Sequence, residues 1–158
     1  MIKISFEVTD APARLIVTEL MPYPLSRVWA AETEGLFVKQ WWAPSGYEND
    51  EVDITTQVGG SWRIIQRDPE GNQFSFYGKV EGVENEARLA ISLVSELWPE
   101  STVLITQEFT ARDGGTVVAT TYEFDSDEAL TTYLGLGGTE RLREASVRLD
   151  GLLKLMSE

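Results

Sequence analysis

The chain is 158 residues long and 42% hydrophobic, enough for one domain that buries roughly two-thirds of its unfolded surface. It has no cysteine and no histidine, which excludes disulfides, thiolate or imidazole metal sites, a thiol nucleophile and any triad built on imidazole. Its 26 acidic and 13 basic residues leave a net charge of -13, which repels phosphate backbones and anionic headgroups, so neither nucleic acid nor a membrane surface is expected as a partner.

No apolar run reaches the roughly 18 residues of a membrane span, and Met1 to Asp10 does not read as a signal sequence, so a cytoplasmic address is expected. Residues 1–13 read as an amino-terminal arm or an extra strand of a single domain over 1–158. Arg14 to Leu20 is rich in Ile, Val and Thr and reads as a strand, stopped by Pro22 and Pro24. Pro24 suits the start of a helix, and Val28, Trp29, Leu36 and Phe37 then fit two short helices broken near Gly35. Trp41 and Trp42 close that stretch. Adjacent helical residues point about 100° apart, so one indole is expected in the core and the other at an opening.

From Tyr47 the pattern is strand-like. Turn signals at Gly59-Gly60, Pro69 to Asn72, Asn85-Glu86, Pro99-Glu100 and Asp113 to Gly115 divide it into six strands of an antiparallel meander. Side chains two apart share a face, so Trp62 and Ile64 carry Gln66 inward, and Phe74 and Phe76 carry Gly78 and Val80. By the same parity Ile105 and Phe109 carry Gln107, and Val118 carries Thr120, Tyr122 and Phe124. The last third, Asp125 to Met156, is helical. Leu142, Ala145, Leu149, Leu152 and Leu153 form one apolar stripe, with Glu140, Arg141, Arg143, Glu144, Arg148 and Asp150 expected mainly in solvent. Gly135, Gly137 and Gly138 break the helix after a short first piece near Asp127 to Tyr133, with Ser126 or Asp127 as its N-cap. The expected fold class is α+β, a curved antiparallel sheet with one face covered by the long carboxy-terminal helix.

Motifs in order along Arg14 to Met156 strengthen this reading. Pro24-Leu25-Ser26-Arg27-Val28-Trp29, Trp41-Trp42-Ala43-Pro44, Val58-Gly59-Gly60-Ser61-Trp62-Arg63, Tyr77-Gly78-Lys79-Val80 and Arg148-Leu149-Asp150-Gly151-Leu152-Leu153 are among them. The series resembles the proteins related to the activator of the heat-shock-protein-90 ATPase, within the START/Bet v-type (SRPBCC) superfamily. That resemblance implies the helix-grip fold and a cavity between sheet and helix that commonly receives apolar or aromatic small molecules. Where such proteins keep apolar residues this chain has Gln66 and Gln107, and Arg141 stands where a glycine is often seen.

Buried amides need partners, so Gln66 and Gln107 are expected to bond each other, water or a ligand, unless a bulge turns them outward. The carboxylate pairs Glu32/Glu34, Asp50/Glu51/Asp53, Asp68/Glu70 and Asp125/Asp127/Glu128 fall at turns and element ends, where solvated or capping acids are expected. No metal site and no cofactor site emerges.

The expected function is binding of a largely apolar small molecule. Its cavity would be lined by Trp41, Trp42, Trp62, Gln66, Phe76, Gln107, Phe109, Tyr122, Leu134, Leu142 and Ala145. No catalytic constellation is legible. The alternative from another class is a cyclase or hydrolase in which Tyr122, an amide and water polarise a carbonyl of an aromatic or polyketide-like substrate. Co-chaperone-like protein binding is the third reading, and the arm or an edge strand offers a surface on which two copies can pair as a homodimer.

Overall fold

A computed structural model describes residues 1–156; Ser157 and Glu158 lie outside the described residues. The elements in chain order are β1 (Lys3–Thr9), β2 (Arg14–Met21), α1 (Leu25–Thr33), α2 (Gly35–Trp41), β3 (Glu48–Ile54) and β4 (Ser61–Arg67). They continue with β5 (Gln73–Glu84), β6 (Arg88–Ser95), β7 (Trp98–Arg112), β8 (Gly115–Glu123), α3 (Asp127–Gly135) and α4 (Gly138–Met156). All eight strands join one antiparallel sheet in the order β1-β2-β8-β7-β6-β5-β4-β3. The helical pair α1 and α2 carries the chain from β2 to the far edge, and the meander β3 to β8 brings it back beside β2. This is the expected α+β helix-grip architecture.

Alternation explains the strands. On β2, Leu15, Val17, Glu19 and Met21 are buried while Ile16, Thr18 and Leu20 are not, so one face of the sheet turns toward the helices. The edge strand β3 carries Glu48, Asp50, Glu51 and Asp53, whose charges oppose edge-to-edge pairing of two copies. One turn differs from its expected place. The β6–β7 hairpin turns at Glu96-Leu97, with Ser95 opposite Trp98, and Pro99 lies inside β7. Proline is tolerated there because the register skips it on the β6 side and β8 ends opposite Leu104.

The terminal helix is broken as expected. Ser126 accepts the N–H of Ala129 at 3.0 Å to cap α3, and Gly137 takes φ +82° between α3 and α4. Leu149, Leu152 and Leu153 of α4 enter the same core as Met21, Val28, Trp62, Ile64, Val80 and Val118. Asp150 corrects the sequence reading. It is 7% exposed, and its Oδ1 accepts the Ile2 N–H at 3.1 Å and the Tyr23 hydroxyl at 2.8 Å. The buried stripe of α4 thus includes Ser146, Leu149, Asp150 and Leu153, with Ile2 just before β1 and Tyr23 after β2 supplying donors to Asp150 on that flank. Arg148 is half-buried too, donating to the carbonyls of Pro44 at 3.1 Å and Tyr47 at 2.6 Å. No helix among the described residues is long and apolar enough to cross a membrane.

Candidate ligand-binding face

Strand register sets out the inward face in rows. Val17, Thr120, Gln107 and Leu89 lie side by side, flanked by a row of Leu15, Tyr122, Ile105 and Ile91 and by a row of Glu19, Val118 and Phe109. The aromatic end lies over β4 and β5. Trp41 is buried and donates its indole N–H to the Ala31 carbonyl at 2.8 Å. Trp42 is half-buried, edge-on to Trp62 at 6.2 Å and to Phe76 at 5.2 Å. Trp62 is buried and donates to the Ser92 carbonyl at 2.9 Å, a crossing that Gly78 permits because a Cβ there would collide with that carbonyl. Phe109 is buried against Trp29, with ring centroids 4.9 Å apart.

The two inward amides have different roles. Gln66 is 3% exposed and gives its Nε2 hydrogens to the Trp42 carbonyl at 3.1 Å and to Asn49 Oδ1 at 3.0 Å. Asn49 in turn donates to the carbonyls of Lys39 and Trp42, so this pair fastens the end of α2 to β3 and β4. Gln66 and Gln107 do not bond each other, since β5 and β6 stand between their strands. The β3 bulge between Asn49 and Glu51 leaves Gln66 facing inward.

Gln107 donates to Glu32 Oε1 at 2.7 Å, which overturns the expectation of a solvated acid at that position. Glu32 is 8% exposed, while Glu34 is exposed as expected. Its other oxygen, Oε2, is buried without a hydrogen-bond partner among the described residues. Glu19 on β2 is also buried, and its Oε2 accepts the Ser146 hydroxyl at 2.8 Å. Burial, then the Glu19 charge, pushes the Glu32 carboxyl up to about 8, against the opposing Gln107 bond. Burial raises Glu19 to about 6, opposed by Ser146. At neutral pH, therefore, Glu32 is an acid that keeps its proton. The sequence carried signals for both residues. Val28, Ala31 and Glu32 share one side of α1 at spacings of three and four, and Val17, Glu19 and Met21 share one side of β2.

Tyr122 borders the pair. Burial drives its phenol well above 10, with the charges of Tyr133, Glu19 and Glu32 adding to the shift, so the hydroxyl stays protonated and can donate. Around it Leu134 and Leu142 are half-buried against a second apolar cluster that includes Leu15, Val17 and Phe124. Ala145 is half-buried against the main core. Two surface grooves, of about 540 Å³ beside Ser45, Glu144 and Arg148 and about 360 Å³ beside Leu36, Lys39 and Asp53, lie away from this face. No group of three acids among the described residues is placed to hold a metal ion.

A single antiparallel sheet whose inward face receives a long carboxy-terminal helix places the chain in the helix-grip class. Residues 22–144 match the family model described as Activator of Hsp90 ATPase homolog 1-like protein, and the chain belongs to that family. Solved structures agree on the fold. A Nitrosomonas europaea protein is 24% identical with a TM-score of 0.85, the match covering 94% of this chain and 99% of that one. A Rhodobacter sphaeroides protein is 24% identical with a TM-score of 0.86, covering 98% and 99%. An Arthrobacter aurescens protein reaches 0.87 at 18% identity, covering 95% and 91%. No curated protein matches the sequence.

Proposed function

We propose that this chain binds a largely apolar small molecule between the inward face of the sheet and α3 and α4. The observation that supports this is uneven burial. Val80, Val118, Leu149 and Leu153 are sealed, yet Phe76, Ile91, Leu93, Tyr122, Leu142 and Ala145, which share the same interior side, are only half-buried. Interiors are normally close-packed, so inward apolar surface left uncovered beneath a helix is surface kept for something else. Trp42 and Phe76 offer it aromatic edges, and Gln107 and Tyr122 offer polar groups that fix orientation.

Native mass spectrometry of the purified protein, followed by extraction of whatever is bound, tests this reading. A stoichiometric apolar molecule is the expected result, and its conversion on incubation would move the reading toward the cyclase or hydrolase alternative. A clean apo mass, together with no thermal shift across a panel of aromatic and acyl compounds, would overturn it.

A further inference from the structure

We propose that Glu19 and Glu32 form an ammonium subsite at the polar end of this face, so that the molecule bound there is an apolar compound carrying one protonated amine. The inference rests on the binder reading and adds the chemical class of its ligand. Three observations on the pair carry it.

First, the two carboxyls are both buried, Glu19 on β2 bonded to Ser146 of α4 and Glu32 on α1 bonded to Gln107 of β7, and they stand near enough for the charge of one to act on the other. Among the described residues their four oxygens receive two side-chain donors, Gln107 Nε2 at 2.7 Å and Ser146 Oγ at 2.8 Å, and Glu32 Oε2 receives none. A nine-tenths buried acid with an unpartnered oxygen costs free energy unless something arrives to use it.

Second, no ion pair among the described residues brings a cation to the acids. The titratable groups facing the pair are the acids themselves and Tyr122 on β8, with Tyr133 on α3 behind it. The basic residues of the neighbouring helices act elsewhere. Arg27 acts on Tyr23, Arg141 lies over the Tyr133 ring, Arg143 over the Phe6 ring, and Arg148 on the carbonyls of Pro44 and Tyr47.

Third, Gln107 and Tyr122 on either flank keep accessible surface, so the uncovered apolar face extends to the acids. An ammonium group brings three donors and a positive charge: it satisfies the unpartnered oxygen and takes the place of the proton that Glu32 gives up, so the pair keeps one net negative charge while both carboxylates gain a donor. A ligand carbonyl would use only the Glu32 proton and would offer the Glu19 carboxylate neither a donor nor an opposing charge.

The test compares naphthylmethylamine with naphthylmethanol by calorimetry, on the full chain and on Glu32→Gln. The amine is expected to bind about tenfold tighter than the alcohol, and the preference to vanish in the variant. Since Glu32 holds its proton at neutral pH, amine binding should also release about one proton, read from the heats in buffers of different ionisation enthalpy, whereas the alcohol releases none. Equal affinities, or an amine preference that survives Glu32→Gln and fades with salt, would overturn the subsite, since the general negative charge of the chain would then explain the attraction. If neither compound binds, the ammonium subsite falls, while the binder reading still answers to the molecule recovered from the native protein.

Discussion

Glu32 shows how one residue's place on a helix decides its chemistry. A capping or solvated acid at the end of α1 would titrate normally, but the Val28, Ala31, Glu32 spacing turns it into the core beside another acid. The folded state then holds its proton more tightly than the unfolded chain does, with a pKa of about 8 against a usual 4.5. The stabilisation this brings is fully present below about 4.5 and is lost as pH rises to 8, because only the unfolded chain gives up the proton freely in that window. Glu19 adds a smaller contribution of the same sign, lost by about 6. Thermal unfolding from pH 5 to 8 should therefore show the native protein weakening. Glu32→Gln should weaken less, the gap reaching on the order of a few kcal/mol at the alkaline end. The introduced amide can still accept from Gln107 and has no proton to lose across this range, while its NH2, like Oε2, meets no partner. Parallel curves for the two proteins would mean that Glu32 is not protonated in the fold.

At the scale of elements, most of the architecture was legible because each strand and helix follows its own period. The two short helices, the meander and the break near Gly137 are local, and local patterns report them. What depends on partners distant in sequence was not. Asp150 looks like a solvated helix residue until Ile2 and Tyr23 are seen to donate to it, and Gln66 looks like a ligand contact until Asn49 takes its hydrogen bond. The β6–β7 turn slipped to Glu96-Leu97 because Pro99 is harmless where no ladder needs its N–H. Within the candidate face, parity places Trp62, Gln107 and Tyr122, but Glu32 reads as a solvated acid near an element end and Glu19 is not singled out. Asp150 yields the prediction that belongs here. Asp150→Ala leaves the buried Ile2 N–H without its acceptor and the Tyr23 hydroxyl with only the longer bond, 3.4 Å, to the carbonyl of residue 150, a loss of roughly 1–3 kcal/mol by urea unfolding. Asp150→Asn keeps an acceptor and should cost less. Equal losses would mean that the charge, shared with Lys154 at 3.3 Å, matters more than the two bonds.

On the scale of the whole molecule, the question is whether the sheet and α4 enclose usable space or meet in a finished core. Ala145 decides it, because it is half-buried on the inner side of α4 while Val147, two residues on, is 72% exposed. An indole at Ala145 would fill the uncovered face. If that face is open, Ala145→Trp should fold with little loss of stability. A ligand at 100 times its dissociation constant adds about 2.7 kcal/mol to the native protein, and the variant should forgo that gain. The molecule recovered from the native protein serves as ligand, or naphthylmethanol where none co-purifies. Val147→Trp, on the outer side of the same helix, controls for the added aromatic surface and should bind as the native chain does. If instead the face is already packed by Trp42, Trp62 and Phe76, the inserted ring has nowhere to go and Ala145→Trp loses about 1–3 kcal/mol or more by overpacking. Stability and binding thus move in opposite directions under the two arrangements: a stable variant that has lost its ligand marks a cavity, and an unstable one marks a core.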